Sequence, residues 1–117
     1  MGPGQLIRWQ WDGYCRYHGA RANLIIHIFA VPLFLAGTVT LIMAMLRLSA
    51  AWSAIGIACM VISVAIQGRG HKLEKISPEP FTGMSNAVAR IFLEQWVTFP
   101  RFVLSGRWAR ALRAQAP

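Results

Sequence analysis

Two long apolar runs separated by only three residues leave this chain few ways to fold. Residues 24–46 form a run of 23 without a formal charge, and residues 50–66 form a second run of 17. As a helix rising about 1.5 Å per residue, the first run covers about 34 Å, enough for a hydrocarbon core of about 30 Å. The second sits at the short end of the spanning range. Arg47-Leu48-Ser49 between them forces an antiparallel reversal. The expected architecture is therefore all-α: an integral membrane hairpin of two spanning helices, flanked by interfacial amphipathic helices. Pro32 lies inside the first run, where neighbouring helices can satisfy the carbonyl it frees. Thr38, Thr40, Ser53, Ser63 and the glycines and alanines of both runs suit close helix contact.

Composition supports this frame. Hydrophobic residues make up 56% of the 117 positions and charged residues 14%, where a soluble domain carries about a quarter charged. The length predicts one domain, 1–117. Of the 12 basic residues, only Arg47 lies in the turn, so the positive-inside rule predicts cytoplasmic termini, at the inner membrane if the source is bacterial. The net charge of +8 then reads as membrane topology and contact with anionic lipid. The basic residues are scattered and form no nucleic-acid-binding motif, so no nucleic-acid partner is expected. Residues 1–23 contain Arg8, Asp12, Arg16 and Arg21 and no cleavable apolar core, so no signal peptide is expected. Cys15 and Cys59 are too far apart in sequence to indicate a disulfide framework or a zinc ribbon.

The remaining polar residues are concentrated. All three histidines lie in two clusters, Tyr14-x3-His18-x4-Asn23-x3-His27 in the segment entering the first run and Gln67-x3-His71-x2-Glu74 after the second. Residue 49, in the turn, is midway between positions 27 and 71, so an ideal hairpin brings these two imidazoles face to face near its open end. Gathered imidazoles in a membrane protein point to a metal site. Tyr14 and His18 share a helix face, as do Asn23 and His27. His18 and His27 are about 900° apart on one continuous helix, on opposite faces, so a common metal requires a break between them. Gly19 is the expected break, with Asn23 as a helix cap. Gln67, His71 and Glu74 share one face of the second helix, which Gly68 and Gly70 weaken. Imidazoles with a carboxylate suit non-haem iron, and zinc is chemically compatible. No Ser-His-Asp arrangement, phosphate loop or dinucleotide fingerprint is present.

The tail reads differently. Ser77-Pro78-Glu79-Pro80 is a turn, and residues 85–99 form an amphipathic helix with Val88, Ile91, Phe92, Gln95 and Phe99 near one stripe and Arg90 and Glu94 off it. Pro100 marks a break or kink. Beyond it lie an apolar patch, Phe102-Val103-Leu104, and a basic end, Arg107 to Arg113. Trp96, Trp108 and the arginines suit either the membrane interface or packing on the cytosolic end of the hairpin.

Tyr14-x3-His18-x4-Asn23-x3-His27-x4-Pro32, with Gln67-x2-Gly70-His71-x2-Glu74-x3-Pro78 after the hairpin, resembles small membrane proteins related to the fungal 2-hydroxy-fatty-acid dioxygenase of phytosphingosine breakdown. The resemblance covers about residues 11–80. The tail Phe99 to Trp108 is similar to a shorter bacterial branch, and Ala30 stands where the family pattern has Gly. The resemblance implies an Fe(II)-dependent oxygenase that removes one carbon from a 2-hydroxy fatty acid, using O2 and no 2-oxoglutarate. Carried onto this chain, it makes His18, His27 and His71 iron ligands and Glu74 a fourth ligand or a base. Tyr14, Asn23 and Gln67 would orient imidazoles or the substrate head group. Arg16, Arg21, Arg69 and Lys72 are the candidate partners of the substrate carboxylate. Two other readings fit the residues: a lipid-directed metalloenzyme of different chemistry, and a non-enzymatic membrane adaptor whose polar clusters only staple helices. Two spanning helices make a thin wall around a buried site, which is compatible with a homodimer or larger assembly.

Overall fold

The computed structural model describes residues 1–114 and is all-α. Helix α1 (Pro3–Tyr17) is separated by a short break from α2 (Arg21–Leu46), and α3 (Ala50–His71) runs back beside it. After an irregular stretch, α4 (Met84–Leu93) passes through one π-helical turn (Glu94–Thr98) into α5 (Phe99–Leu104), and α6 (Arg107–Ala114) follows. The last three residues of the expected tail, 115–117, lie outside the described residues. Both α2 and α3 are long and apolar enough to cross a membrane. Their outward faces carry exposed Phe29, Val39, Ile42, Ile57, Val61 and Ile62, as a lipid-facing surface requires.

The reversal is as tight as the three-residue spacing demands. The Ser49 N–H bonds to the Ala44 carbonyl at 2.9 Å and the Leu48 N–H to that of Met45 at 3.1 Å, which satisfies the last carbonyls of α2. Leu48 takes the left-handed position that closes this motif, φ 54°. The Ser49 Oγ accepts from the Trp52 N–H at 3.2 Å, so one residue ends α2 and caps α3.

Small residues set the hairpin register. Gly37 lies against Gly56, where a Cβ on either would come within 2.8 Å of the other's carbonyl oxygen. Seven residues on, the Ser63 hydroxyl donates to the Ala30 carbonyl, and seven further, Gly70 lies against Asn23. A contact repeat of seven on both helices is the left-handed packing of coiled coils, here with small residues that let the backbones approach. This register puts Ile66, not His71, level with His27. His71 lies five residues, about 7.5 Å, nearer the open end. The rings still meet, at 5.1 Å between centroids, because side chains lean toward the N-terminus of their own helix. In an antiparallel pair the His27 ring therefore leans outward and the His71 ring inward.

The tail packs on the hairpin. Phe99 and Phe102 are buried with Tyr14, Leu24 and Val31, and Trp108, Ala111 and Leu112 close over them. The Trp108 indole N–H donates to the Leu24 carbonyl at 3.0 Å. Phe92 meets Phe34 edge-on at 5.1 Å, and the guanidinium groups of Arg101 and Arg107 lie over the Trp11 ring at 4.0 and 4.5 Å. Trp96 stays exposed. The expected break at Pro100 is instead a widened turn. Pro100 has no N–H and its ring crowds the carbonyl four residues back; the π-helical turn just before it, with the Phe99 N–H bonded to the Glu94 carbonyl, absorbs the misfit.

Two substitutions test this account. Leu48→Gly relieves the left-handed strain and should raise stability by about 0.5–1 kcal/mol. Gly56→Val drives a side chain into the α2 backbone and should cost about 1–3 kcal/mol or more. Thermal unfolding in detergent reads both; equal melting temperatures for Gly56→Val and the parent chain would contradict the close crossing.

Candidate metal centre

The break that the histidine spacing requires is present. Helix α1 ends at Tyr17, α2 begins at Arg21, and His18 between them has φ −135° and ψ 57°, outside the helical region. The chain thereby turns the His18 ring back over α1. Tyr14 stacks on it at 3.7 Å between centroids and 10° between planes. His18 is then 4.8 Å from the His27 ring and 4.7 Å from that of His71.

Hydrogen bonds prepare these rings as ligands. The Nδ1 of His18 lies 2.9 Å from the Tyr14 carbonyl oxygen, and that of His27 lies 3.0 Å from the Asn23 carbonyl oxygen. A carbonyl only accepts, so each Nδ1 carries the proton and donates, which leaves the Nε2 lone pair free in the neutral ring. His27 Nε2 and His71 Nδ1 are buried without a hydrogen-bond partner, and the buried His18 Nε2 faces only the carboxylate described next. Leaving such atoms unpaired costs about 1–3 kcal/mol each.

The carboxylate facing them is Glu94. Its Oε2 lies 3.2 Å from His18 Nε2 and 3.6 Å from His27 Nε2, and accepts from the Tyr14 hydroxyl at 2.7 Å. One ligand atom from each of His18, His27, His71 and Glu94 lies within 4.8 Å of all the others. Ligands about 2.1 Å from a shared ion stand about 3.4 Å apart in a tetrahedral set and at most about 4.2 Å apart as a trans pair, so side-chain shifts of up to about an ångström close the set. Burial opposes ionisation of Glu94, yet the His18 ring, then His27, each acting as a cation where its near nitrogen carries a proton, and then the Tyr14 hydroxyl, outweigh it and hold its carboxyl down at about 2; a bound metal ion would take the place of those ring protons. Burial first, and Glu94's charge second, push the Tyr14 phenol well above its usual 10, so it stays a proton donor.

Glu74, the carboxylate paired with His71 by sequence spacing, is not part of this cluster. Helix α3 ends at His71, so the i, i+3 relation that would place Glu74 beside the imidazole is lost in the following turn. Its carboxylate instead meets the start of α2, accepting from the backbone N–H of Gly19 (3.1 Å) and Ala20 (3.0 and 3.1 Å) and from Asn23 Nδ2 (2.7 Å). Nor is Asn23 the cap of α2: the cap position is Ala20, and Asn23 is buried one turn inside, its carbonyl holding His27. Gln67 exchanges two 2.8 Å hydrogen bonds with Gln95 and touches no imidazole within hydrogen-bond distance. Tyr14 alone of the three expected supporting residues contacts both a ring and the carboxylate.

A cavity of about 660 Å3 opens beside the cluster. Tyr14, His18, His71 and Glu94 line its inner end, and Trp9, Val64, Ile91 and Phe81 its apolar walls. Arg16 and Lys72 also line it, whereas Arg21 and Arg69 do not. The outer wall, Ser77 to Phe81, is held by Arg90, whose guanidinium donates to the carbonyls of Glu79 (2.8 Å) and Pro80 (3.0 Å) and lies 4.5 Å over the Phe81 ring.

Glu94 is not visible as a site residue when residues 85–99 are taken as one regular helix. The π-helical turn brings Glu94, Gln95, Thr98 and Phe99 inward together. The available signals were a lone carboxylate in an apolar helix and a proline six residues later, a spacing at which a widened turn can form.

A family model described as 2-hydroxy-palmitic acid dioxygenase Mpo1-like matches residues 5–101. The chain belongs to this Mpo1-like family. The matched span runs from α1 into α5 and contains all four members of the cluster. No curated protein and no solved structure matches the chain.

Cobalt(II) titration followed by visible absorption tests the centre. Glu94→Gln should weaken binding more than about 100-fold, beyond the range for groups that only support a ligand, and Tyr14→Phe by about 10-fold. Equal affinity in Glu94→Gln and the parent chain would remove Glu94 from the site.

Proposed function

We propose that this Mpo1-like protein is an Fe(II)-dependent dioxygenase that shortens 2-hydroxy fatty acids by one carbon at the cytoplasmic face of a membrane. One observation carries the reading: buried ring nitrogens of three imidazoles and a carboxylate converge at the inner end of a largely apolar cavity with three cations, Arg16, Lys72 and Arg90, in its lining. Imidazole and carboxylate together are the donor set of non-haem iron oxygenases. The family description, 2-hydroxy-palmitic acid dioxygenase, names the matching substrate class.

The overall change balances as R–CH(OH)–COOH + O2 → R–COOH + CO2 + H2O. The C1–C2 bond breaks, the two carbons lose four electrons and dioxygen gains them. Bound Fe(II) would supply the redox chemistry toward dioxygen and Lewis-acid activation of the hydroxy acid. The chain's own residues do the rest. Arg16 and Lys72 offer cationic partners to the substrate carboxylate. Trp9, Val64, Ile91 and Phe81 supply an apolar surface for the acyl chain. The Tyr14 hydroxyl fixes Glu94, and the Tyr14 and Asn23 carbonyls fix the two imidazole tautomers. The excess of Lys and Arg flanking the hairpin supports a cytoplasmic location for the site and both termini.

The test is turnover of 2-hydroxypalmitate by the anaerobically reconstituted Fe(II) protein, with oxygen uptake and the acid product followed by mass spectrometry. The expected product is the acid one carbon shorter, formed only with oxygen and iron, with palmitate untouched and His71→Ala at least 100-fold slower. Full turnover in His71→Ala, or stoichiometric zinc with no oxygen uptake, would overturn the assignment.

A further inference from the structure

Glu74 sits outside the donor cluster, yet it touches the chain beside every imidazole in it. Its two oxygens hold the Gly19 and Ala20 N–H groups, the residues that follow His18. Its Oε2 also holds Asn23 Nδ2, and the Asn23 carbonyl fixes His27. Its own backbone N–H donates to the His71 carbonyl at 3.2 Å. Gly70 completes the arrangement, since a Cβ there would collide with the Asn23 amide. The structure assigns Glu74 as a positioning residue: a latch that ties the three histidine-bearing segments into one geometry without ligating the metal. This rests on the metal reading above and deepens it.

The physical argument is local. The break at His18–Ala20 exposes N–H groups at the positive end of α2, and no side chain of the cap residue, Ala20, can satisfy them. A carboxylate brought from the end of α3 does so with charge-assisted bonds. That same bond fixes where α1 leaves α2, and hence where the His18 ring points. Without the latch, His18 loses the restraint that holds it within 5 Å of the other two rings, and the metal must supply the ordering itself.

The experiment is Co(II) binding by the full-length chain in detergent, with affinity, absorption bands and melting temperature measured for the parent, Glu74→Ala and Glu74→Gln. Glu74→Ala should weaken Co(II) binding about 10- to 100-fold, the range for groups that orient ligands, with the bands of the bound form unchanged. Glu74→Gln should recover affinity to within about threefold. Its amide oxygen still accepts from Gly19 and Ala20, and the Asn23 amide can turn to accept from the new N–H group. A lower melting temperature in Glu74→Ala with unchanged affinity would make the role structural only and overturn the inference. Shifted bands or lost binding in Glu74→Gln would make Glu74 a ligand and overturn it as well; if Glu74→Ala does not fold, the glutamine variant decides alone. Absence of Co(II) binding by the parent chain strikes the metal reading itself, and the latch with it, whereas a failed latch with a binding parent leaves that reading intact.

Discussion

Nine residues separate His18 from His27, and on an unbroken helix their rings would face opposite ways. Everything at the centre depends on the interruption of α1 and α2 at His18–Ala20. Once the chain leaves helical geometry there, the Tyr14 ring can stack on His18, the Tyr14 hydroxyl can reach Glu94, and α1 can lie over the open end of the hairpin. A break in a helix near a membrane surface is costly unless its freed N–H groups find partners. Here the partners come from the end of α3, so the interruption and the return of the hairpin support one another.

Much of the fold was legible in the sequence. Runs of apolar residues and the Arg47-Leu48-Ser49 spacing are local properties, and they led to the two long helices and their antiparallel arrangement. The meeting of His27 with His71 was anticipated from symmetry about residue 49, but the structure reaches it by another route. Gly37 against Gly56 and Ala30 against Ser63 place the true register elsewhere, and the lean of the side chains restores the contact. A midpoint rule assumes equal helices and a symmetric turn; close packing of small residues follows neither assumption.

The two carboxylates show where local reading stops. The His71-x2-Glu74 spacing suggests a shared helix face only if the helix continues, and α3 ends at His71. Glu94 looked like the solvent-facing charge of an amphipathic helix because a period of 3.6 was applied across a segment that contains a π-helical turn. Both errors concern the phase of a helix near its interruption, which depends on tertiary packing and on Pro100 rather than on the nearest neighbours in sequence. The three histidines, by contrast, do come together in the structure, and their grouping was visible because their scarcity in an apolar chain is a compositional fact.

Hydrogen-bond satisfaction then separates a site from mere packing. Deeper in the bundle the buried polar groups satisfy one another: Gln67 with Gln95 and Ser63, Ser63 with the Ala30 carbonyl, Thr38 with the Phe34 carbonyl. Among the described residues, the buried side-chain atoms left without a partner are His18 Nε2, His27 Nε2, His71 Nδ1 and Asn23 Oδ1. Three of these four belong to the rings that surround Glu94. Packing defects would leave unpaired atoms scattered, and an adaptor that only staples its helices would have no use for a cluster of them. The chain pairs its polar groups along the hairpin and orients two imidazoles by their far nitrogens, so that the near ones face Glu94 and one another in a group that could hold an ion. With a carboxylate in the same set and an apolar cavity beside it, a metal ion is the electrophile that this chemistry fits.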